Sequence, residues 1–137
     1  MLDLFAGTGA MGLEALSRGA RFCLFVDQSV EALRIISENV QLCGVRERSH
    51  AIQGPVASVI RRLRSENELF DLIFMDPPYG KRYLEESLEI VGEVASDKAL
   101  IVAERYVKDE PPKVPEIWQE DRKRRYGDTL ISVYSRL

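Results

Sequence analysis

Short apolar runs alternate with helix-like segments along the first hundred residues, and this alternation constrains the fold more than any other feature of the sequence. Four of the runs precede apolar residues at helical spacing, and they occupy residues 1–5, 22–26, 50–52 and 70–75. A further strand is predicted at 99–103. Strands that alternate with helices build a parallel sheet covered on both faces, with right-handed crossovers. The sequence therefore predicts an α/β, Rossmann-like fold.

The C-terminal third breaks this alternation. A proline-rich segment at 111–115 marks a loop, and a polar strand is predicted at 116–125. The turn Tyr126-Gly127-Asp128 leads into a last strand at 129–134. An antiparallel hairpin at one edge completes a mostly parallel sheet of seven strands. The 137 residues suit one domain, 1–137.

Composition places the chain among globular proteins, with 45% hydrophobic and 30% charged residues. No apolar run approaches the roughly 18 to 20 residues that a membrane-spanning helix needs, so we expect no membrane partner and a cytoplasmic location. The two cysteines, Cys23 and Cys43, show no metal-like spacing and are expected to be reduced core thiols. We expect no metal site.

The net charge of -3 excludes a global basic field of the kind that drives non-specific nucleic-acid binding. Positive charge for such a partner must therefore be local. Lys81 and Arg82 form one candidate patch, and the run at 122–125 forms a second. For the second run, protection of an edge strand is an equally good interpretation.

A glycine-rich segment, DLFAGTGAMG at 3–12, follows the first predicted strand and holds the pattern G-x-G-x-x-G at Gly7, Gly9 and Gly12. Alone the pattern is weak evidence, because it also marks dinucleotide sites and plain tight turns. Asp27 comes 15 residues after Gly12, at the end of the second strand, where a carboxylate can accept hydrogen bonds from ribose hydroxyls. Together these residues predict a site for an adenosine cofactor.

The segment Asp76-Pro77-Pro78-Tyr79 follows the fourth strand and suits methylation of an amine on a nucleic-acid base. Such an amine is a poor nucleophile because its lone pair is delocalised into the ring. The carboxylate of Asp76 and the carbonyl of Pro77 can accept both amino hydrogens and align the nitrogen for attack on a sulfonium methyl group. The prolines stiffen the segment, and Tyr79 can stack on a base that has left its helix.

Several functions remain open on these motifs alone. Guanine-N2 methylation of RNA and adenine-N6 methylation of DNA both use such an amine. A non-catalytic cofactor-binding core has the same glycine-rich turn, and so has a nicotinamide-dependent oxidoreductase, although the latter does not need the Asp-Pro-Pro-Tyr segment.

From DLFAGTGAMGLEALSRGA through Asp27 and DPPY to RRYGDTLISVY, the chain resembles the 16S ribosomal RNA guanine-N2 methyltransferase family (RsmD-like), within the class I S-adenosylmethionine-dependent methyltransferases. The resemblance covers nearly the whole chain. It implies methyl transfer from S-adenosylmethionine to the N2 amine of a guanine. The implied partner is small-subunit ribosomal RNA or a small-subunit assembly particle, and we expect a monomer rather than an oligomer.

The resemblance also implies roles for individual residues. The cofactor's methionine and ribose parts would be surrounded by Asp3, Phe5, Ala6, Gly7, Thr8 and Gly9. Asp27 would bind the ribose hydroxyls, with Gln28 and Ser29 beside the adenine. The target guanine would face Asp76, Pro77, Pro78 and Tyr79.

The sequence departs from the family pattern in two places. An acid usually follows the third strand and contacts the adenine amine, but Gly54 and Pro55 stand there, so Gln53 or backbone groups are expected to substitute. The family also carries a basic segment before the first strand, whereas this sequence starts in the strand. We therefore expect a catalytic core that keeps the fold and binds RNA poorly, with little activity.

Overall fold

A computed structural model describes residues 1–80 and 82–137 and shows one mixed sheet with helices on both faces. The strands are β1 (Leu2–Leu4), β2 (Cys23–Asp27), β3 (Ser49–Gln53), β4 (Phe70–Met75), β5 (Ala95–Tyr106), β6 (Trp118–Tyr126) and β7 (Thr129–Arg136). The α-helices are α1 (Ala10–Ser17), α2 (Val30–Leu42), α3 (Val56–Ser65) and α4 (Tyr83–Ile90), and short 3-10 helices lie at Arg46–Arg48 and Val91–Val94. Lys81 of the first basic patch lies outside the described residues.

The strand order is β3-β2-β1-β4-β5-β7-β6. The first five strands run parallel, and β7 is antiparallel to both β5 and β6. This arrangement confirms the predicted Rossmann-like sheet with its C-terminal hairpin. The order reverses between β1 and β4, so the loops that follow these two strands diverge. A crevice at their carboxyl ends is where open sheets of this kind bind ligands.

Strand alternation divides the core between the two faces of the sheet. Leu2 and Leu4 point to the face covered by α3 and α4, whose own core residues include Ile60 and Leu88. The other face carries the smaller cluster under α1 and α2, made of Leu16, Cys23, Phe25, Ile36, Val40 and Val45. Asp3 lies between the two leucines and therefore points to the second face.

Strand β5 is longer than the predicted 99–103. It pairs with β4 on one side and with β7 on the other. Hydrogen bonds to these two strands keep polar residues at both ends within β5, although the apolar pattern used for the prediction does not include them. At its start, the Ser96 hydroxyl donates to the Asp71 carboxylate at 2.7 Å. At its end, Glu104, Arg105 and Tyr106 pair with β7, which brings their side chains to the edge of the sheet where the crevice lies.

Both cysteines are free thiols, but only Cys23 is buried. The prediction that Cys43 belongs to the core is wrong, because α2 ends at Leu42 and the chain turns away at Gly44. Within the described part of the chain, no helix is long and apolar enough to cross a bilayer.

Candidate active site

The loop after β1 turns sharply through three residues with positive φ. These are Phe5 at 59°, Gly7 at 58° and Gly9 at 80°. Glycine adopts this conformation without a steric cost, whereas a non-glycine residue such as Phe5 is strained there. The loop closes with the Gly9 amide donating to the Ala6 carbonyl at 2.8 Å, and α1 begins immediately after it. Backbone strain is thus placed at the carboxyl end of a central strand, where functional sites commonly store it.

The third glycine of the motif is required by packing rather than by backbone conformation. A Cβ atom at Gly12 would lie 2.3 Å from Cε1 of Phe25 and 2.5 Å from Sγ of Cys23. Only a glycine lets α1 approach β2 this closely. The Gly12 amide also donates to Oδ2 of Asp3 at 3.0 Å, which ties the first turn of α1 to β1.

Asp3 lies beneath the loop, with 1% of its surface exposed. Burial is the main cause that raises its pKa to about 7; the Gly12 hydrogen bond opposes the rise, and the negative charges of Asp76 and Asp27 add to it. Its carboxylate is hydrogen-bonded to the backbone of α1. That it lies beside the cofactor stays a prediction.

Asp27 connects the ends of β1 and β2. Its Oδ2 accepts the Gly7 amide hydrogen at 2.9 Å, and its Oδ1 accepts that of Ser29 at 2.9 Å. Ser29 in turn caps α2, because its hydroxyl accepts the Ala32 amide hydrogen at 3.2 Å. Each carboxylate oxygen of Asp27 keeps further acceptor capacity, so the group is fixed in place and still able to bind a diol.

A first cavity of about 320 Å³ opens at the carboxyl ends of these strands. Its lining residues are Phe5, Asp27, Gln28, Gly54, Val56, Asp76, Pro77, Pro78 and Tyr79. The structure thus brings together residues from both predicted sets, the cofactor set and the catalytic set. Ala6, Gly7, Thr8, Gly9 and Ser29 belong to the adjoining loops, and the Thr8 carbonyl is held by the Asn39 side-chain amide at 2.9 Å.

The rim of the first cavity near β3 is the place where the sequence lacks the acid expected from the family pattern. Gly54 lines the first cavity at this point, and its amide donates to the Asp27 carbonyl at 3.0 Å. Gln53 is exposed, and its side-chain amide donates to the Gln28 carbonyl at 3.3 Å. Gln53 therefore supports the backbone of Gln28, while its predicted contact with adenine stays a prediction.

The Asp-Pro-Pro-Tyr loop, residues 76–79, follows β4 directly. Burial is the main cause that raises the pKa of Asp76 to about 6, and the neighbouring Glu104 carboxylate adds to the rise. The Tyr79 ring stacks on Tyr106, with centroids 5.5 Å apart and planes at 29°. Because Tyr79 keeps 53% of its surface exposed, it presents an open ring face that is supported from behind.

A second cavity of about 330 Å³ lies on the other side of this loop. It shares Pro77, Pro78 and Tyr79 with the first cavity and is closed by the start of α4, the end of β5 and residues 108–112. Asp109 fastens the segment to the loop, because its Oδ2 accepts the Gly80 amide hydrogen at 3.2 Å. The wall made by Pro77, Pro78 and Tyr79 therefore separates two adjoining spaces.

Three residues of this second cavity region were missed in the sequence: Glu104, Tyr106 and Asp109. The strand prediction stopped at Ala103, one residue before Glu104. Extending the strand beyond its apolar run would have placed Glu104 beside Asp76. No local pattern marks Tyr106 or Asp109, whose contacts depend on the fold.

Comparison with known proteins assigns the family. A family model described as "Conserved hypothetical protein 95" matches residues 1–135. The chain belongs to this family. Its fold is that of the class I methyltransferases, as the strand order and the solved relatives both show. The resemblance drawn from the motifs is confirmed.

Relatives of the family carry related names. The chain is 31% identical over 137 residues to "Putative rRNA methyltransferase YlbH" of Bacillus subtilis. This match covers 98% of the chain and 74% of that relative. It is 28% identical to "Ribosomal RNA small subunit methyltransferase D" of Escherichia coli, with 98% and 67% covered. Among solved structures, "Putative methyltransferase yhhF from Escherichia coli" superposes with a TM-score of 0.86 at 27% identity, covering 98% of this chain and 74% of that one.

Proposed function

We propose that this chain transfers a methyl group from S-adenosylmethionine to the exocyclic N2 amine of a guanine in small-subunit (16S) ribosomal RNA. The observation that carries the proposal is the position of Asp76. This half-buried carboxylate follows β4 directly and lines the first cavity together with the fixed diol acceptor Asp27, just before the loop that separates the two cavities. Family membership and the names of the relatives support the same activity.

The first cavity suits the adenosine part of S-adenosylmethionine. Asp27 is held by two backbone amides and presents its remaining lone pairs to a ribose diol. Phe5 and Val56 contribute apolar surface to the lining of this cavity, whose volume lies in the roughly 300 to 1,000 Å³ range of small-molecule sites. When bound, the cofactor supplies a methyl group on a positively charged sulfur.

The chain's own residues prepare the amine. Asp76 and the carbonyl of Pro77 accept the two amino hydrogens, which turns the nitrogen lone pair out of the plane of the base and toward the methyl group. Two consecutive prolines hold these acceptors before the substrate arrives. After methyl transfer the nitrogen is cationic, and its surplus proton passes to Asp76 or to water. Tyr79 stacks on the base from its open face.

The RNA partner fits the edge strand of the sheet. The basic run at 122–125 lies on β6, and register links Arg125 through Leu130 to Arg105 at the end of β5. Since neighbouring strands lie about 4.8 Å apart, Arg125 is roughly 10 Å from the mouth of the second cavity. Arg122 and Arg124 are exposed, so they can contact phosphates although the chain as a whole is acidic.

Calorimetric titration with S-adenosylmethionine, its demethylated product and NAD tests the cofactor. We expect the first two to bind and NAD not to bind. An Asp27→Ala variant should lose most of that affinity, whereas Asp97→Asn, an exposed carboxylate at the opposite end of β5, should keep it. Selective binding of NAD would refute the proposal.

Methyl transfer from labelled S-adenosylmethionine tests the acceptor. Small-subunit ribosomal RNA, a small-subunit assembly particle and adenine-containing duplex DNA are compared side by side. We expect label on a guanine of the RNA. An Asp76→Asn variant should lower kcat by about 10²- to 10³-fold, because one acceptor becomes a donor, while cofactor affinity changes far less. Label on DNA adenine alone would replace the proposed substrate.

A further inference from the structure

Glu104 is the neighbour of the catalytic carboxylate on the next strand. Parallel pairing aligns Met75 of β4 with Ala103 of β5, so Asp76 and Glu104 occupy the following pair of positions. Met75 and Ala103 are 0% and 2% exposed and face the core under α3 and α4. Asp76 comes one residue after β4, so this pairing puts its backbone about 5 Å from that of Glu104. The two carboxylates are close enough for the charge of Glu104 to help raise the pKa of Asp76.

The Glu104 carboxylate also lines the second cavity without a partner of its own among the described residues. Among residues 1–80 and 82–137, no group donates a hydrogen bond to it and no cation pairs with it. Two of the other acids in this wall are engaged: Glu85 accepts the Lys113 amide hydrogen at 2.9 Å and pairs with Arg82, and Asp109 accepts the Gly80 amide hydrogen. The remaining acid, Glu110, is exposed to solvent. Because the Glu104 carboxylate lines the cavity without a donor from the described chain, it can accept a hydrogen bond from a donor on the substrate.

The edge of guanine supplies donors in the matching order. Its N2 amine carries two hydrogens, and the adjacent ring nitrogen N1 carries one more. In adenine the ring nitrogen next to the exocyclic amine is an acceptor, and in 2-aminopurine N1 is an acceptor although the N2 amine is kept. Two neighbouring carboxylates therefore complement guanine, whereas one of them would face a lone pair on either of the other bases.

We propose that Glu104 accepts the N1 hydrogen of the target guanine while Asp76 holds the N2 amine, and that Glu104 thereby selects guanine over bases whose N1 is an acceptor. This inference rests on the proposed function. It makes Glu104 a residue that contacts the substrate and sets base choice, a task that the Asp-Pro-Pro-Tyr loop alone does not perform because it suits any exocyclic amine.

The test compares guanine with 2-aminopurine at one position. The methylated guanine is first located in small-subunit ribosomal RNA by mass spectrometry of nuclease fragments, and RNA with 2-aminopurine at that position is then prepared by ligation. The wild-type chain should prefer guanine in kcat/KM by roughly 10- to 100-fold, the range for one correct against one mismatched edge contact. The Glu104→Gln side chain keeps a neutral carbonyl acceptor for the N1 hydrogen of guanine and gains an amide donor for N1 of 2-aminopurine. This variant should therefore methylate 2-aminopurine faster than the wild type does and bring the two rates to within about threefold of each other.

Two further variants separate recognition from folding. Glu104→Asp keeps a carboxylate and should keep the preference for guanine at a reduced rate. Asp97→Asn exchanges an exposed carboxylate seven positions earlier on β5 and should change neither rate. S-adenosylmethionine affinity, which depends on the first cavity, should stay within about twofold in all three variants.

The possible results distinguish this inference from the proposed function. If Glu104→Gln leaves the ratio of the guanine rate to the 2-aminopurine rate unchanged, base selection by Glu104 is refuted and the proposed function stands. If the wild-type chain methylates no guanine but methylates adenine in DNA, the proposed function fails, and the role of Glu104 fails with it.

Discussion

A methyl group added at Gly12 tests how closely α1 must approach β2. In Gly12→Ala the new Cβ would meet Phe25 Cε1 at 2.3 Å and Cys23 Sγ at 2.5 Å, whereas carbon atoms pack at about 3.5 to 4.0 Å. Phe25 and Cys23 are both 0% exposed, so neither side chain can swing into solvent. The helix must therefore move outward by about 1 Å.

The expected cost follows from two opposing effects. Overpacking of a closed core costs about 1 to 3 kcal/mol, and the upper half of that range applies because two buried groups are overlapped at once. Replacing glycine by alanine inside a helix stabilises the helix by about 1 kcal/mol, which offsets part of this cost. We expect a net loss of about 1 to 2 kcal/mol in the free energy of unfolding, or a Tm lower by roughly 4 to 8 °C. The displaced helix also shifts the Gly7–Gly9 loop and weakens cofactor binding.

Urea unfolding measures the first effect, and calorimetric titration with S-adenosylmethionine measures the second. Met11→Ala, at a position of α1 that is 45% exposed, serves as the control and should stay within about 0.5 kcal/mol of the wild type. In the pair Gly12→Ala and Phe25→Leu, loss of the ring atoms should make the alanine less costly than it is alone. A Gly12→Ala chain as stable as the wild type would refute the packing argument.

Three further outcomes are expected. The pKa of Asp3 is raised to about 7, so its contribution to stability is complete below about pH 4 and is lost as pH rises through 7. The wild-type chain should therefore lose roughly 4 kcal/mol of unfolding free energy between pH 4 and 8, and Asp3→Asn should not show this loss. Urea unfolding at each pH measures the difference. The pKa of Asp76 is raised to about 6, and its ionised form accepts the amine hydrogens, so kcat/KM should rise as pH increases through 6. Glu104→Gln should move this rise in the pH profile to lower pH, because it removes a negative charge near Asp76. An unchanged profile would contradict the electrostatic effect of Glu104 on Asp76. Arg122→Ala and Arg124→Ala should each weaken binding to small-subunit ribosomal RNA in fluorescence anisotropy and reduce the slope of log affinity against log salt by about 1; a constant slope would exclude phosphate contacts there.

The parts of the fold that depend on local pattern were predictable. The fourth strand was predicted at 70–75 and is observed at Phe70–Met75, because an apolar run ends there at two prolines that cannot continue a central strand. Ser29 caps α2, and a cap of this kind can be recognised in sequence because it needs only a hydroxyl placed before a helical pattern. Asp27 was found in the same way, as the first acid after an apolar strand.

The rest depends on contacts between distant segments. Glu104 looks like an ordinary surface acid in sequence, and only the pairing of β5 with β4 brings it beside Asp76. Tyr106 supports Tyr79 from 27 positions away, which no spacing rule anticipates. Gly12 matches a ligand-binding fingerprint, yet its tightest requirement is set by the Phe25 ring, whose position follows from the packing of a helix on a strand.

One rigid loop forms a wall of both cavities, and this has a thermodynamic consequence for the order of events. Pro77, Pro78 and Tyr79 face the first cavity on one side and the second on the other, so a ligand that shifts them in either space alters the shape of the other. Coupling of this kind is reciprocal: by whatever factor the methyl donor changes the affinity for RNA, RNA changes the affinity for the donor. The same symmetry extends to the demethylated product, whose retention after turnover would then be set partly by how fast the RNA leaves.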